Sequence, residues 1–219
     1  MHRHRIAAAY DARAEEYVDL LGSVGQMAAR DRATIEQWRD GIDGAILDAG
    51  CGPGHWTDLL RGSREGAVLG LDASAGFLAS ARGRFPRSAF VRADLAALPL
   101  ADATVDGVLA WYSIIHTPPT GVPAILQELR RVLQPGGSLL LGFFDGPAGE
   151  PFDHAVTTGY YWSVPVLQDA LDAAGLRVLR AETRQDPGAR RRHGELVAQA
   201  VVVNDPAPLP AIQSAQETL

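Results

Sequence analysis

The sequence predicts an α/β fold: a mostly parallel seven-stranded sheet with helices on both faces, an antiparallel last strand and an N-terminal helical cap. Three observations predict it. From residue 45 to residue 144, short apolar runs alternate with segments of helical spacing, the β-α-β-α order that builds a parallel sheet. The stretch Ile46-Leu47-Asp48-Ala49-Gly50-Cys51-Gly52-Pro53-Gly54 is an apolar run that ends in an acid and breaks into closely spaced glycines. Such a run suits a strand covered on both faces, and the glycines allow a sharp turn and a close ligand approach. A second apolar run, Val68-Leu69-Gly70-Leu71, ends in Asp72 about twenty residues later, where an acid can accept both hydrogen bonds of a ribose diol. These features predict a nucleoside-containing cofactor.

Each element follows from its local chemistry. Ile6, Tyr10, Ala14, Tyr17, Val18 and Leu21 recur at helical spacing up to Gly22, and a second helix is expected over 25–39. Strand one is 45–48, a helix runs over 55–60, and strand two is 67–71. Ser74 reads as the N-cap of a helix through Arg82. Strands three and four are expected at 89–92 and 105–111. Pro123 suits the first turn of a helix to Leu133, which Pro135-Gly136-Gly137 ends before strand five at 138–144. Residues 145–159, rich in Gly and Pro, read as a long surface loop. A helix over 164–174 and two strands at 176–182 and 195–203 complete the sheet as an antiparallel pair. The expected division is a helical cap at 1–42, a core at 43–203 and a disordered tail at 204–219.

A chain of 219 residues with 47% hydrophobic content suffices for one α/β domain with a sizeable core. The formal charge of −6 argues against a broad surface for duplex nucleic acid. Cys51 is the single cysteine, which rules out an intrachain disulfide and a cysteine-only metal cluster; no metal site is expected. No apolar run approaches the roughly 18–20 residues that span a bilayer, and the N-terminus lacks a signal-peptide core, so a cytoplasmic location is expected. All 20 permanently cationic side chains are arginine. Without lysine there is no Schiff-base chemistry and no P-loop lysine.

The motif set resembles that of the small, single-domain class I S-adenosylmethionine-dependent methyltransferases, with their Rossmann-like fold, over residues 10–203. Asp48, Gly50, Gly52 and Gly54 match the family's acid-x-Gly-x-Gly-x-Gly loop, and Asp72 matches its ribose-binding acid. Asp94, with Leu95 beside it, matches the acid that reaches the adenine amino group. Leu98-Pro99-Leu100 and Pro135-Gly136-Gly137 sit where the family has them. A nicotinamide dehydrogenase fits less well: its fingerprint needs a glycine at the sixth position, which here is His55.

The resemblance implies S-adenosylmethionine as cofactor and SN2 transfer of its methyl group to a small-molecule acceptor. The implied cofactor contacts are Tyr10, Tyr17, Asp48, Gly50, Cys51, Gly52, Gly54, Asp72, Ala73, Phe77, Asp94, Leu95 and Trp111. For Asp48, service to the cofactor's amino end and simple capping of loop and helix stand open together. For Tyr10 and Tyr17, contact with the methionine end and packing of an amphipathic helix also both stand. His116, in the segment after strand four where acceptors sit in this fold, and His154, in the Gly/Pro-rich loop, are candidate general bases. Tyr160-Tyr161-Trp162 either lines an acceptor pocket or fastens the next helix. Arg190-Arg191-Arg192 either binds an anionic acceptor or is a solvated hairpin. The Asn/Asp-Pro-Pro-aromatic pattern of nucleic-acid amino-methyltransferases is absent, so no nucleic-acid partner is expected. Other readings are a cofactor-binding sensor or scaffold without transfer activity, and a protein or tRNA methyltransferase. The acceptor, the atom methylated and the oligomeric state are left open.

Overall fold

A computed structural model describes residues 2–62, 64 and 66–202; the expected tail lies outside them. Helices α1 (His2–Asp11), α2 (Ala14–Leu21) and α3 (Ala29–Asp40) precede β1 (Ile46–Ala49), α4 (His55–Arg61), β2 (Val68–Asp72), α5 (Ala75–Arg84) and β3 (Ala89–Arg92). Then come β4 (Val105–Trp111), α6 (Val122–Val132), β5 (Leu133–Asp145) and a small ribbon, β6 (Pro151–Phe152) with β7 (Gly159–Tyr160). Helix α7 (Val164–Ala173) and strands β8 (Leu176–Arg184) and β9 (Arg192–Ala200) follow. The seven-stranded sheet has the order β3-β2-β1-β4-β5-β9-β8. Pairing is parallel from β3 through β5, while β9 is antiparallel to both β5 and β8. The antiparallel strand is thus inserted next to the edge.

Both faces of the sheet are covered, which is why its strands read as continuous apolar runs. Ile35 and Trp38 of α3 join Trp56 and Leu60 of α4 in one cluster with Ile46, Leu109 and Leu140. Leu126 and Leu129 of α6 and Leu167 and Leu171 of α7 join a second with Val108, Leu139 and Leu196. A leucine buried this completely contributes about 1.5–3 kcal/mol. Strand order reverses between β1 and β4, and such a switch point opens a crevice at the carboxyl ends of the strands.

Local readings and structure differ in instructive places. The helix expected over 6–21 breaks at Ala12-Arg13. Asp11 accepts hydrogen bonds from the Ser74 hydroxyl and, at 2.9 Å, from Gly76 N. Its carboxylate therefore sits at the N-terminus of α5, where the helix dipole favours negative charge. The helix expected from residue 25 begins at Ala29, because Val24–Gln26 form a 3₁₀ turn in which Gln26 Oε1 accepts from Ser23 N at 2.8 Å.

Pro135-Gly136-Gly137 does not separate α6 from β5. The helix already ends at Val132, and Leu133 pairs with Val105; residues 134–137 then bulge opposite Asp106 before Ser138 resumes pairing with Gly107. The 145–159 loop contains the β6–β7 ribbon, and β8 and β9 together reach further toward their connection, to Arg184 and Arg192, than the apolar pattern marks.

Candidate active site

Glycine geometry builds the first wall. Gly50, at φ +84°, turns the chain away from β1; Gly50 N and Cys51 N donate to Leu71 O at 2.7 and 2.9 Å, strapping the loop to β2. A Cβ on Gly50 would fall 2.4 Å from Ser113 Cβ. Gly54, at φ +86°, serves packing instead: a Cβ there would lie 2.8 Å from both Ala81 of α5 and the Phe90 ring of β3.

Asp72 lies at the end of β2, with Oδ2 accepting from Gly52 N at 2.9 Å and Oδ1 from Ser74 N at 2.8 Å. Burial pushes its pKa up, and those backbone hydrogen bonds oppose the shift. Each carboxylate oxygen keeps a further acceptor direction. Asp48 faces elsewhere. Fully buried, it accepts from Thr57 Oγ1 of α4 at 2.6 Å. Burial drives its pKa up to about 7; the Thr57 hydrogen bond opposes this and the Asp72 charge adds to it.

These elements line a cavity of ≈ 660 Å³ across the switch between β1 and β4. Of the residues singled out by sequence, Tyr10, Tyr17, Gly50, Cys51, Gly52, Asp72, Ala73, Phe77, Asp94, Leu95, Trp111, His116 and His154 all face it. Asp48 and Gly54 stand behind the wall, in the roles just described. Tyr160, Tyr161 and Trp162 are not on it either: Trp162 is in the main core, and Tyr161 packs on Phe152 with ring centroids 4.5 Å apart. Nor do the three arginines reach it. Arg192 pairs with Asp145 at 3.0 Å, and Arg191 lies over the Phe152 ring at 4.2 Å.

The N-terminal helices close one side. Tyr10, Tyr17 and Phe77 form a triangle of rings with centroids 5.2–5.8 Å apart. Tyr10 Oη lies 2.7 Å from His116 Nε2, and His116 Nδ1 lies 2.8 Å from Thr158 O. A carbonyl only accepts, so Nδ1 carries the proton and Nε2 accepts from the tyrosine. Burial lowers the His116 pKa, with the Thr158 hydrogen bond opposing. The His154 ring stands 4.8 Å from that of His116. Burial first, then His116 and the nearby arginines, bring its pKa down to about 4.

Tyr112 and Ser113 fall in the segment 111–116 that the sequence marks for the acceptor, without individual roles, while His55 and His193 are not marked as contacts; all four line the cavity. His55 and Ser113 had local signals, flanking the glycine loop and strand four. His193 had none, because it arrives by long-range pairing opposite Phe144. Among the described residues, the buried Ser113 Oγ and both His55 ring nitrogens have no hydrogen-bond partner.

The arrangement of glycine loop, acid at the end of β2 and cavity at the switch point agrees with a match to the family model described as a methyltransferase domain, over residues 46–137. Residues 46–137 form a methyltransferase domain, similar over this region to S-adenosylmethionine-dependent relatives. A malonyl-(acyl-carrier protein) O-methyltransferase of Erwinia pyrifoliae is 28% identical over 183 residues, 80% of this chain and 68% of the relative. A 2-phytyl-1,4-naphtoquinone methyltransferase of Thermosynechococcus vestitus is 34% identical over 149 residues, 65% of this chain and 63% of the relative. Across curated relatives at this similarity the chain spans 36% to 68% of their length. Among solved structures, the 1,6-didemethyltoxoflavin-N1-methyltransferase of Burkholderia thailandensis superposes with a TM-score of 0.72 at 21% identity, covering 92% of each chain. It shares the methyltransferase fold.

S-adenosylmethionine, the cofactor of this methyltransferase family, fits the cavity. A Cβ on Gly52 would meet only the Phe77 ring, at 3.9 Å, so the loop leaves space there; Asp72 retains acceptor capacity, and the unpartnered Ser113 Oγ and His55 nitrogens offer polar contacts at the loop.

Proposed function

We propose that this chain transfers the methyl group of S-adenosylmethionine to a small-molecule acceptor. The observation that carries the reading is the continuity of one ≈ 660 Å³ cavity. Its β1–β3 side carries residues proposed here for the cofactor, and its β4–β9 side, lined by Tyr112, Phe144 and His193, is proposed for the acceptor. Arg92 is the one arginine on its wall among the described residues, which suits a small acceptor better than a nucleic acid. No helix among the described residues is long and apolar enough to cross a membrane.

When bound, S-adenosylmethionine supplies a methyl group activated by a sulfonium. In the proposed site Asp72 accepts from the ribose hydroxyls, and Asp94 and Leu95 border the adenine. Gly50 to Gly52 let the backbone approach closely. Tyr10, Tyr17 and Phe77 close over the cofactor and exclude water. Holding two reactants in line can lower the barrier by about 7–11 kcal/mol, so orientation supplies most of the rate. His116 has both nitrogens engaged and can take a proton only through Tyr10; its part is to fix Tyr10 over the cavity. His154, beside it, stays neutral at working pH.

The test is a transfer assay with methyl-labelled S-adenosylmethionine and a panel of small acceptors. Label moving to an acceptor, with S-adenosylhomocysteine released, supports the reading. Tight cofactor binding with no transfer across the panel would favour a sensor or scaffold instead.

A further inference from the structure

The cavity's second half holds a tyrosine–histidine pair that the cofactor does not need. Tyr112 follows β4, Phe144 lies near the end of β5, and His193 lies near the start of β9 directly opposite Phe144. Pairing of β5 with β9 thus brings residues far apart in the chain to one edge. Tyr112 Oη is 2.5 Å from His193 Nδ1. His193 Nε2 faces Asp186 Oδ2 at 3.9 Å, which favours the proton on Nε2 and leaves Nδ1 to accept from the tyrosine. Tyr112 also holds φ at +55°, uncommon for a bulky residue. Strain of this kind persists where the surroundings enforce it and clusters at functional sites.

The cation nearest the pair, Arg184, is already engaged. Arg184 contacts Asp31, Glu195 at 3.1 Å and Asp186 at 3.0 Å, and Glu195 and Asp31 are both buried. With three carboxylates on it, Arg184 is not available to a ligand. Arg92 donates to Ala73 O at 3.0 Å and is paired in register with Asp72, on the cofactor side. An acceptor in this half meets aromatic rings and histidines, and no arginine among the described residues lies on its wall: Arg191, 5.8 Å from the Phe144 centroid, is off the wall, over the Phe152 ring and donating to Asp153 O.

Resting on the methyltransferase reading, we propose that the acceptor is an uncharged aromatic hydroxyl compound, and that Tyr112 and His193 bind its hydroxyl and take its proton. The acceptor ring packs among Phe144, His154 and Tyr112. Its O–H proton passes to Tyr112 Oη as Tyr112 gives its own to His193 Nδ1, and the resulting imidazolium faces Asp186. The freed oxygen pair forms the new C–O bond while the C–S pair stays on sulfur. Tyr112 touches the acceptor and is a catalytic residue; His193 acts through it.

The test uses the protein loaded with S-adenosylhomocysteine and a matched pair of probes, 2-naphthol and 2-naphthoate. Calorimetry should show saturable binding of 2-naphthol, at least tenfold tighter than 2-naphthoate. Tyr112→Phe and, separately, His193→Gln should each weaken 2-naphthol by about tenfold or more with S-adenosylhomocysteine affinity held within twofold. With S-adenosylmethionine, kcat for naphthyl methyl ether formation should fall about 10²–10⁴-fold in both variants. The proposal is overturned if 2-naphthoate binds as tightly, if 2-naphthol does not bind, or if both variants keep wild-type affinity and turnover. Absence of S-adenosylhomocysteine binding would instead sink the underlying methyltransferase reading, so the two failures are distinguishable.

Discussion

Tyr10 Oη hydrogen-bonds His116 Nε2 at 2.7 Å, tying the first helix of the chain to the loop after β4. The contact joins residues 106 apart in sequence and closes the cavity on its N-terminal side. Tyr10→Phe keeps the ring but leaves Nε2 of a histidine that is 5% exposed without its donor. An unsatisfied buried acceptor costs about 1–3 kcal/mol. Urea denaturation should show a loss of that size. A cycle with His116→Phe should be non-additive, because the double variant no longer buries the orphaned nitrogen.

Asp11 fastens the same helix by a different route, through Ser74 and Gly76 at the start of α5. Removing a side chain that satisfies helix-terminal N–H groups costs about 0.5–2 kcal/mol. Asp11→Ala should therefore loosen the N-terminal helices. Limited proteolysis should cut within residues 2–21 faster than in wild type while the β-sheet core resists. Equal cleavage rates would remove the fastening role.

Gly50 is the most constrained position in the loop. Gly50→Ala places a Cβ 2.4 Å from Ser113 and forces a left-handed backbone that costs about 1–2 kcal/mol by itself. A lowered Tm and loss of cofactor affinity should appear together. Gly136→Ala is the control for strain alone: its φ is +81°, but no atom lies within 4 Å of its added Cβ. It should lower Tm and leave cofactor binding intact.

Asp48 gives a pH signature of definite sign. Burial, with Asp72 adding, raises its pKa from 3.8 to about 7 in the folded state. Between those values the folded state holds a proton that the unfolded state has lost, so this contribution to stability falls as pH rises and is gone above about 7. His55 and His154, lowered from 6.5 to about 4 mainly by burial, contribute in the opposite direction over most of that window. Comparison with Asp48→Asn isolates the carboxyl. The variant's stability relative to wild type should increase from pH 5 to pH 7, by at most about 1.4 kcal/mol per unit, and level off above. A flat difference across that range would contradict the buried, protonated Asp48.

The parts of the site legible in the sequence are those whose physics is local. Gly50, Gly52 and Asp72 lie within one strand–turn–helix unit and the next strand, so spacing alone brings them together. The helix cap at Ser74 was legible for the same reason, and Phe77 N does donate to its hydroxyl at 3.0 Å. Pro135-Gly136-Gly137 was misread as a helix terminator because a bulge and a terminator draw on the same residues. What decides between them is the pairing of Leu133 with Val105. Tyr112 with His193, and Arg184 with Asp31, lie 81 and 153 residues apart. Only the insertion of β9 between β5 and β8 assembles them, and no local pattern encodes that insertion. Asp48 was ambiguous for a further reason: a strand-end acid can face the ligand or the following helix, and Thr57 decides for the helix.

The central claim is that the crevice between the β1 loop and Asp72 takes S-adenosylmethionine. Calorimetric titration of the purified protein with S-adenosylhomocysteine, beside Asp72→Ala, tests it most directly. Hydrogen bonds to a charged group contribute about 1.5–3 kcal/mol, so the account predicts saturable one-to-one binding to wild type that weakens by at least about tenfold in the variant. A folded wild-type protein that binds no S-adenosylhomocysteine, or one whose affinity is unchanged by Asp72→Ala, would contradict it.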